Sequence, residues 1–398
     1  MKICIISNFY PPFFFGGERA VQREAEALAR RGHVLVVITS SPNNKSYLED
    51  INGVTIHRIS PFNLYPPYEF PNHSVLKKVF FHLLDVWNPM SAKRIRKALQ
   101  KVRPDVVYVN NFKGLSLTVF KAVKSLGVPF VFSVNDYSLM CPRANLLRSS
   151  GKICLNPPFP CRLYARAQRY LLNQNKPNII ISNAQFTLGK FNQNGFFTGI
   201  PTKREAVGVN LTTTKANKDS SVFNILYTGG VNKHKGVQVL ISAFTELKQP
   251  NIRLHIVGRG QDTDEMKRLA GDDKRIIFHG FVSDEKLAEL RAMANLAIVP
   301  SIWYDMAQGV ICESFSYGIP VIGSRIGGIP EFIEKDANGY LFEAGNILEL
   351  KNIIEKLITN PQELKRLEDG AFESRKKYDI EDHISRLEKM FSELIGQN

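Results

Sequence analysis

Short apolar runs of strand length alternate with helical periods along the whole chain, and this alternation restricts the fold more than any other feature. In the first half such runs fall at Lys2 to Ser7, His33 to Thr39, Val54 to Ile59, Asp105 to Val109, Phe130 to Val134 and Asn178 to Ser182. Amphipathic patterns lie between most of them. In Glu18 to Arg31, for example, Val21, Ala25, Leu28 and Ala29 share one face. Repetition of this kind buries a parallel sheet between layers of helices, so the expected class is α/β. A polar, Thr- and Lys-rich stretch follows, Leu211 to Ser221, and the same grammar then restarts. Its strands are expected at Asn224 to Thr228, Arg253 to Val257, Arg275 to His279, Asn295 to Val299, Pro320 to Ser324 and Gly339 to Phe342. A length of 398 residues suits two doubly wound, Rossmann-like domains. Their expected bounds are 1–210 and 223–377, with a linker at 211–222 and a C-terminal helix within 378–398.

Charge divides the halves. Of the net +15, residues 1–200 contribute 26 Lys+Arg against 9 Asp+Glu, and residues 201–398 contribute 26 against 28. The halves are therefore expected to meet different partners. No nucleic-acid recognition motif accompanies the basic half, so no nucleic-acid partner is expected. No apolar run approaches the roughly 18 residues of a membrane span, and Ile3 to Ile6 is too short for a signal-peptide core. A cytoplasmic protein is the expectation. Five cysteines, odd in number and thinly spread, fit a reducing compartment.

Most of the functional signal lies in Val299 to Glu331. Here a strand end is followed by a polar loop, a helix at Ala307 to Tyr317, a stop at Gly318 and the next strand. Asp305 ends the strand side and Glu313, eight positions on, lies in the second turn of the helix. Helical side chains lean toward the N-terminus, so both carboxylates can face the carboxyl edge of the sheet, where such folds bind ligands. Two acceptor oxygens suit a vicinal diol, such as a ribose or hexose offers. The alternatives are structural: Asp305 with Gln308 fits a capping box, and Glu313 fits a solvated helix residue.

The spacing resembles the E-x7-E motif of the retaining glycosyltransferases of family 4. The flanking Trp303-Tyr304, Pro320-Val321-Ile322 with Ser324-Arg325, and Gly327-Gly328-Ile329-Pro330-Glu331 strengthen the likeness. Further matches are the double glycine Gly16-Gly17 before the first helix, the loop Gly229 to Gly236 carrying Lys235, and Gly280-Phe281-Val282. The resemblance implies a GT-B arrangement, two Rossmann-like domains facing a cleft, with the C-terminal helix bracing the first. It implies transfer of a hexose from a nucleotide-sugar donor to a hydroxyl with retained configuration, the leaving diphosphate helping to accept the acceptor's proton. By the same resemblance Asp305, Asn135 and Lys235 are the catalytic candidates. Donor binding falls to Gly16, Gly17, Gly229, Lys235, Gly258, Phe281, Val282, Gly309, Val310 and Glu313.

The chain departs from the pattern at three places. Asp305 replaces a Glu, Asn135 a His, and Gly230 an Arg, for which Lys233, His234 or Arg259 could compensate. These changes keep open a second reading, a nucleotide-sugar or glycan binder with weakened turnover. No cofactor and no metal are expected. Cys141, Cys154 and Cys161 lack a fourth ligand, and Asp262 with Asp264 reads as the opening of a helix.

The last expectation concerns the acceptor. Large apolar residues and Lys or Arg mix in Leu76 to Val102 and in Arg162 to Lys176. Such a basic amphipathic surface suggests docking on the inner face of an anionic membrane, where a lipid-linked or glycan acceptor of cell-surface synthesis would be met. Solvated basic faces on core helices, with the apolar residues turned inward, are the alternative.

Overall fold

The structure, a computed structural model, describes residues 1–12, 17–42, 45–60, 63–65, 69, 73–212, 221–306 and 308–397. The chain divides into two compact units. The first comprises Met1–Leu146, Cys154–Gly208 and Ile380–Asn398, and the second Leu147–Ile153 and Val209–Asp379. Most of the 211–222 stretch, residues 213–220, lies outside the described residues.

In the first unit eight strands form one sheet: β1 (Lys2–Ile6), β2 (Val34–Ser40), β3 (Tyr47–Ile51), β4 (Val54–Ile59), β5 (Val106–Val109), β6 (Phe130–Ser133), β7 (Ile179–Ser182) and β8 (Thr202–Arg204). Their order is β3-β4-β2-β1-β5-β6-β7-β8, and every pair but β3 with β4 is parallel. The order reverses between β1 and β5, which makes their carboxyl ends a switch point. The central strands β2, β1, β5, β6 and β7 are buried on both faces, as their continuous apolar runs require, while the edge strands β3 and β8 are largely exposed. The antiparallel hairpin of β3 and β4 was not anticipated, although its signal is plain: Asn52-Gly53, with φ of 54° and 79°, makes the two-residue turn that right-twisted strands favour.

The helix Ile380–Gly396 belongs to this first unit. Ile380, Ile384, Leu387 and Phe391 recur at helical spacing and are buried with Val21, Ala25 and Leu28 of the helix Gly17–Arg30. Each large side chain so covered contributes about 1.5–3 kcal/mol.

In the second unit six strands, all parallel, run in the order β11-β10-β9-β12-β13-β14. They are β9 (Phe223–Thr228), β10 (Ile252–Val257), β11 (Ile276–Gly280), β12 (Leu296–Val299), β13 (Val321–Ser324) and β14 (Gly339–Phe342). Their reversal lies between β9 and β12. Its core joins Ile225, Leu254, Ile256 and Ile298 to Leu240, Phe244, Leu350 and Ile354 of the covering helices. Among the described residues no helix is long and apolar enough to cross a membrane.

Candidate functional site

At the switch point of the second sheet, β9 runs into Gly229 and Gly230. The chain then turns through a short 3-10 segment, Lys233–Lys235, before the helix Val237–Thr245. Gly236 makes the turn possible. Its φ is +74°, and a Cβ there would lie 1.8 Å from the carbonyl oxygen of Pro300, just past β12. This close approach brings the Lys235 ammonium within 3.0 and 2.9 Å of the two oxygens of Asp305. Two residues 70 positions apart become one ion pair.

Asp305 is held from several sides. Its carboxylate is buried and also accepts from the Ser301 hydroxyl, while the carbonyl of Ser301 accepts from Ser324 Oγ at 2.6 Å. The Asp305 carbonyl accepts from Gly328 N–H at 2.9 Å. That contact needs Gly327 at φ +61°, since a Cβ there would stand 2.6 Å from the same oxygen. Lys235 keeps part of its side chain exposed and stands 5.3 Å from the centre of the Trp303 ring. An anion arriving at that exposed side meets an ammonium whose position is already determined.

The helix expected from Ala307 runs from Gln308 to Ser316, with Ala307 itself outside the described residues. Gly309 and Val310 form its first turn, and a Cβ on Gly309 would meet nothing within 4 Å. Glu313, farther along, is ion-paired with Arg291 from the helix Asp284–Met293, and both side chains are largely covered. No sequence signal connects these two, because they lie on different helices 22 positions apart.

The loops after β9, β10 and β11 touch one another. Gly258, with φ +133°, packs so closely that a Cβ would lie 1.9 Å from Gly229 O, and Gly258 N–H donates to Gly280 O at 2.8 Å. Beside them a cleft of about 500 Å³ is lined by Arg259, Thr263, Lys267, Phe278 and His279. Phe281 is exposed and Val282 half-buried at its margin. Behind His279 lies His255, whose Nδ1 is 2.9 Å from His279 Nε2 and whose Nε2 is 3.1 Å from Asn224 Oδ1. The Asn224 amide nitrogen faces two carbonyls, so its oxygen accepts from His255 Nε2–H, and His255 Nδ1 accepts in turn from His279. Burial, then the neighbouring His279, lower His255 to about 4, which keeps the relay neutral at pH 7.

Three basic residues stand in the loops near Gly230, where the resemblance implies an arginine, and their surroundings differ. Lys233 is paired with Glu265 at 2.8 Å, and His234 is lowered by burial and by Lys235. Arg259 has no ion-pair partner among the described residues, and its carbonyl accepts from Val231 N–H at 3.2 Å, beside the glycine loop. Asp262 accepts from Lys233 N–H at 2.7 Å, just ahead of the helix Thr263–Ala270.

In the first unit the corresponding edge carries amides. Asn135, two residues beyond β6, donates to Asn110 Oδ1 at 3.0 Å; its own oxygen accepts from Ser133 at 3.2 Å and from Asn183 at 3.4 Å. Asn110 and Asn183, each the first residue after β5 and β7, were not anticipated. The signal that could have found them is a polar residue placed directly after a buried parallel strand. Asn110 also reaches the hydroxyl of buried Tyr108 at 3.5 Å, and Tyr108 in turn meets Glu24. Glu24 and Glu205 hold His383 of the C-terminal helix between them, at 3.1 and 3.2 Å. Gly17 opens its helix with nothing within 4 Å of a Cβ, and Gly16 lies outside the described residues. Cys141, Cys154 and Cys161 are half-buried free thiols.

Comparison with known proteins agrees with this architecture. The family model described as glycosyl transferases group 1 matches residues 212–374, and the one described as glycosyl transferase 4-like domain matches residues 15–185. The chain belongs to these group 1, family 4-like glycosyltransferases, and its fold is GT-B. It is similar to the N-acetyl-alpha-D-glucosaminyl L-malate synthase of Bacillus anthracis, at 24% identity over 99% of this chain and 98% of the relative. Among solved structures it resembles the sucrose-phosphate synthase of Thermosynechococcus elongatus, with a TM-score of 0.79 at 17% identity over 100% of both chains. It also resembles Anabaena Alr3699/HepE in complex with UDP and glucose, with a TM-score of 0.73 at 20% identity over 98% of this chain and 99% of the other.

Proposed function

We propose that this glycosyltransferase moves a hexose from a nucleotide-sugar donor to a hydroxyl of a lipid-linked or glycan acceptor, with retention and without a metal. The setting we infer is cell-surface polysaccharide or glycolipid synthesis on the cytoplasmic side of a membrane. The observation that carries the reading is the Lys235–Asp305 pair at the switch point of the second sheet. The solved complexes of Anabaena Alr3699/HepE with UDP and with UDP-glucose support a nucleotide-sugar as the donor class.

In this reading Lys235, with Arg259, offsets the charge that grows on the leaving diphosphate, and the amides of Gly16 and Gly17 add to it. Glu313, steadied by Arg291, takes the ribose hydroxyls. Phe281, Val282 and Gly258 border the nucleoside, and Gly229, Gly309 and Val310 leave room for the diphosphate. Asp305 serves first to position Lys235 and then, with Asn135, to contact the sugar. The bond from the sugar's anomeric carbon to the diphosphate breaks while the bond to the acceptor oxygen forms on the same face, and the acceptor's proton passes to a diphosphate oxygen. Asn135 is an amide and takes no proton. Catalysis is then positioning and charge stabilisation.

Purified protein incubated with UDP-glucose and other nucleotide sugars should release nucleoside diphosphate slowly, and release should persist in EDTA. Donor binding with no release under any acceptor would establish the weakened binder instead. Loss in EDTA restored by magnesium or manganese would remove the metal-free mechanism.

A further inference from the structure

The helix Val75–Val86 turns its apolar side outward. It buries only Phe81 and Asp85, whereas Val75, Leu76, Val79, Phe80 and Leu83 are each more than half exposed. Leu76, Phe80, Leu83 and the exposed Trp87 lie at spacings of four, three and four, which make one continuous stripe. The helix Phe159–Gln174 packs against it and behaves alike. Gln168 and Leu172 are its buried residues, and Phe159, Leu163 and Tyr170 are exposed together with Arg162 and Arg166. A helix on a water-facing surface ordinarily shows the reverse pattern, and contiguous apolar exposure of this kind marks an interaction face.

Charge says what the face fits. From Tyr137 to Arg204 the chain carries ten Lys or Arg and no Asp or Glu. The neighbouring helix Pro89–Val102 exposes Met90 with Lys93, Arg96, Lys97 and Lys101, and the one carboxylate on the three helices, Asp85, is buried. Trp87, at the end of the apolar stripe, has the Lys121 ammonium 5.2 Å from its ring centre. Apolar side chains flanked by cations, with an aromatic at the border, match the layers of an anionic bilayer surface. A second copy of the chain would set one basic face against another.

We propose that the outward faces of Val75–Val86 and Phe159–Gln174 form a docking surface that inserts its apolar side chains among the acyl chains of an anionic bilayer. Cations of the same unit meet the headgroups. For its meaning, access to an acceptor at the membrane, this rests on the transferase reading, so the test is a binding measurement independent of turnover. The full chain is mixed with vesicles of phosphatidylcholine alone or of phosphatidylcholine with phosphatidylglycerol. Binding is followed by sedimentation and by the fluorescence of Trp87 in a Trp303→Phe background.

Sedimentation with the phosphatidylglycerol vesicles and a blue shift of Trp87 are expected, both weakened by salt. The double variant Leu76→Asp/Phe80→Asp should lower partition more than about tenfold, and Lys93→Glu/Lys97→Glu should abolish the preference for phosphatidylglycerol. Equal binding to both vesicle types, or none to either by folded protein, overturns the proposal. So does a dimer, seen by light scattering, that the apolar double variant dissolves. Donor hydrolysis without vesicles keeps the two readings apart: an inert protein that still binds anionic vesicles counts against the transferase and not against the surface.

Discussion

The two sheets share an architecture and furnish their switch-point edges in opposite ways. In the second unit the pair at the strand ends is ionic, Lys235 with Asp305, and a second ion pair, Arg291 with Glu313, joins two of the helices. In the first the strand ends carry the amides of Asn110, Asn135 and Asn183, and the ions, Glu24, Glu205 and His383, are reached through Tyr108. Ions in a partly desolvated site bind and neutralise charge, and they depend on pH and on one another. Amides donate and accept at any pH, which suits hydroxyl groups. The same fold thus offers one edge suited to an anion and another suited to hydroxyl groups.

The largest test of this contrast removes a charge from the second edge. Lys235→Met should leave Asp305 buried with only Ser301 as partner, costing about 3 kcal/mol in chemical denaturation and eliminating donor turnover. Adding Asp305→Asn should recover most of the stability and none of the turnover. Recovery of both would make the pair a structural feature alone.

The buried charges of the first unit should instead appear as a pH dependence of stability. His383 is raised to about 9 despite burial, because Glu205 and Glu24 both accept from it. Its contribution is therefore complete below 6.5, the ordinary histidine value, and is lost as pH rises through about 9. That loss is about 3 kcal/mol, at 1.36 kcal/mol per unit. Glu205, lowered to about 2 against burial by His383 and Arg386, contributes above 4.5 and loses its effect as pH falls toward 2. Urea midpoints across this range check both limbs, and His383→Gln should flatten the alkaline one.

Two smaller effects sharpen the comparison. Glu313→Ala should weaken nucleotide binding by about 1.5–3 kcal/mol in calorimetry, since charge-assisted hydrogen bonds to the ribose are lost. Unchanged binding by a folded variant would assign Glu313 to holding Arg291. Asn110→Ala removes the acceptor of Asn135 Nδ2 and should cost about 1 kcal/mol, read as a severalfold drop in kcat/KM. Lost stability with unaltered kinetics would make the amide cluster structural.

The sequence by itself determined the class of fold and the positions of most strands, because strand burial and helical amphipathicity are written in local periods of two and 3.6. Asp305 and Glu313 stood out in the sequence by their eight-position spacing beside a strand end and a helix, whereas Lys235 and Asn135 were singled out by the resemblance to family 4. Tertiary structure alone decided their partners. Lys235 meets Asp305 across 70 residues because Gly236 and Pro300 come together, Glu313 meets Arg291 across two helices, and Asn135 meets Asn110 and Asn183 across neighbouring strands. It also decided which way the apolar residues of Val75–Val86 face, a choice that periodicity leaves open, since the same stripe can turn toward a core or toward solvent. Pairings between distant residues depend on strand order and on close approach at individual glycines, and neither has a period that a local stretch of sequence can show.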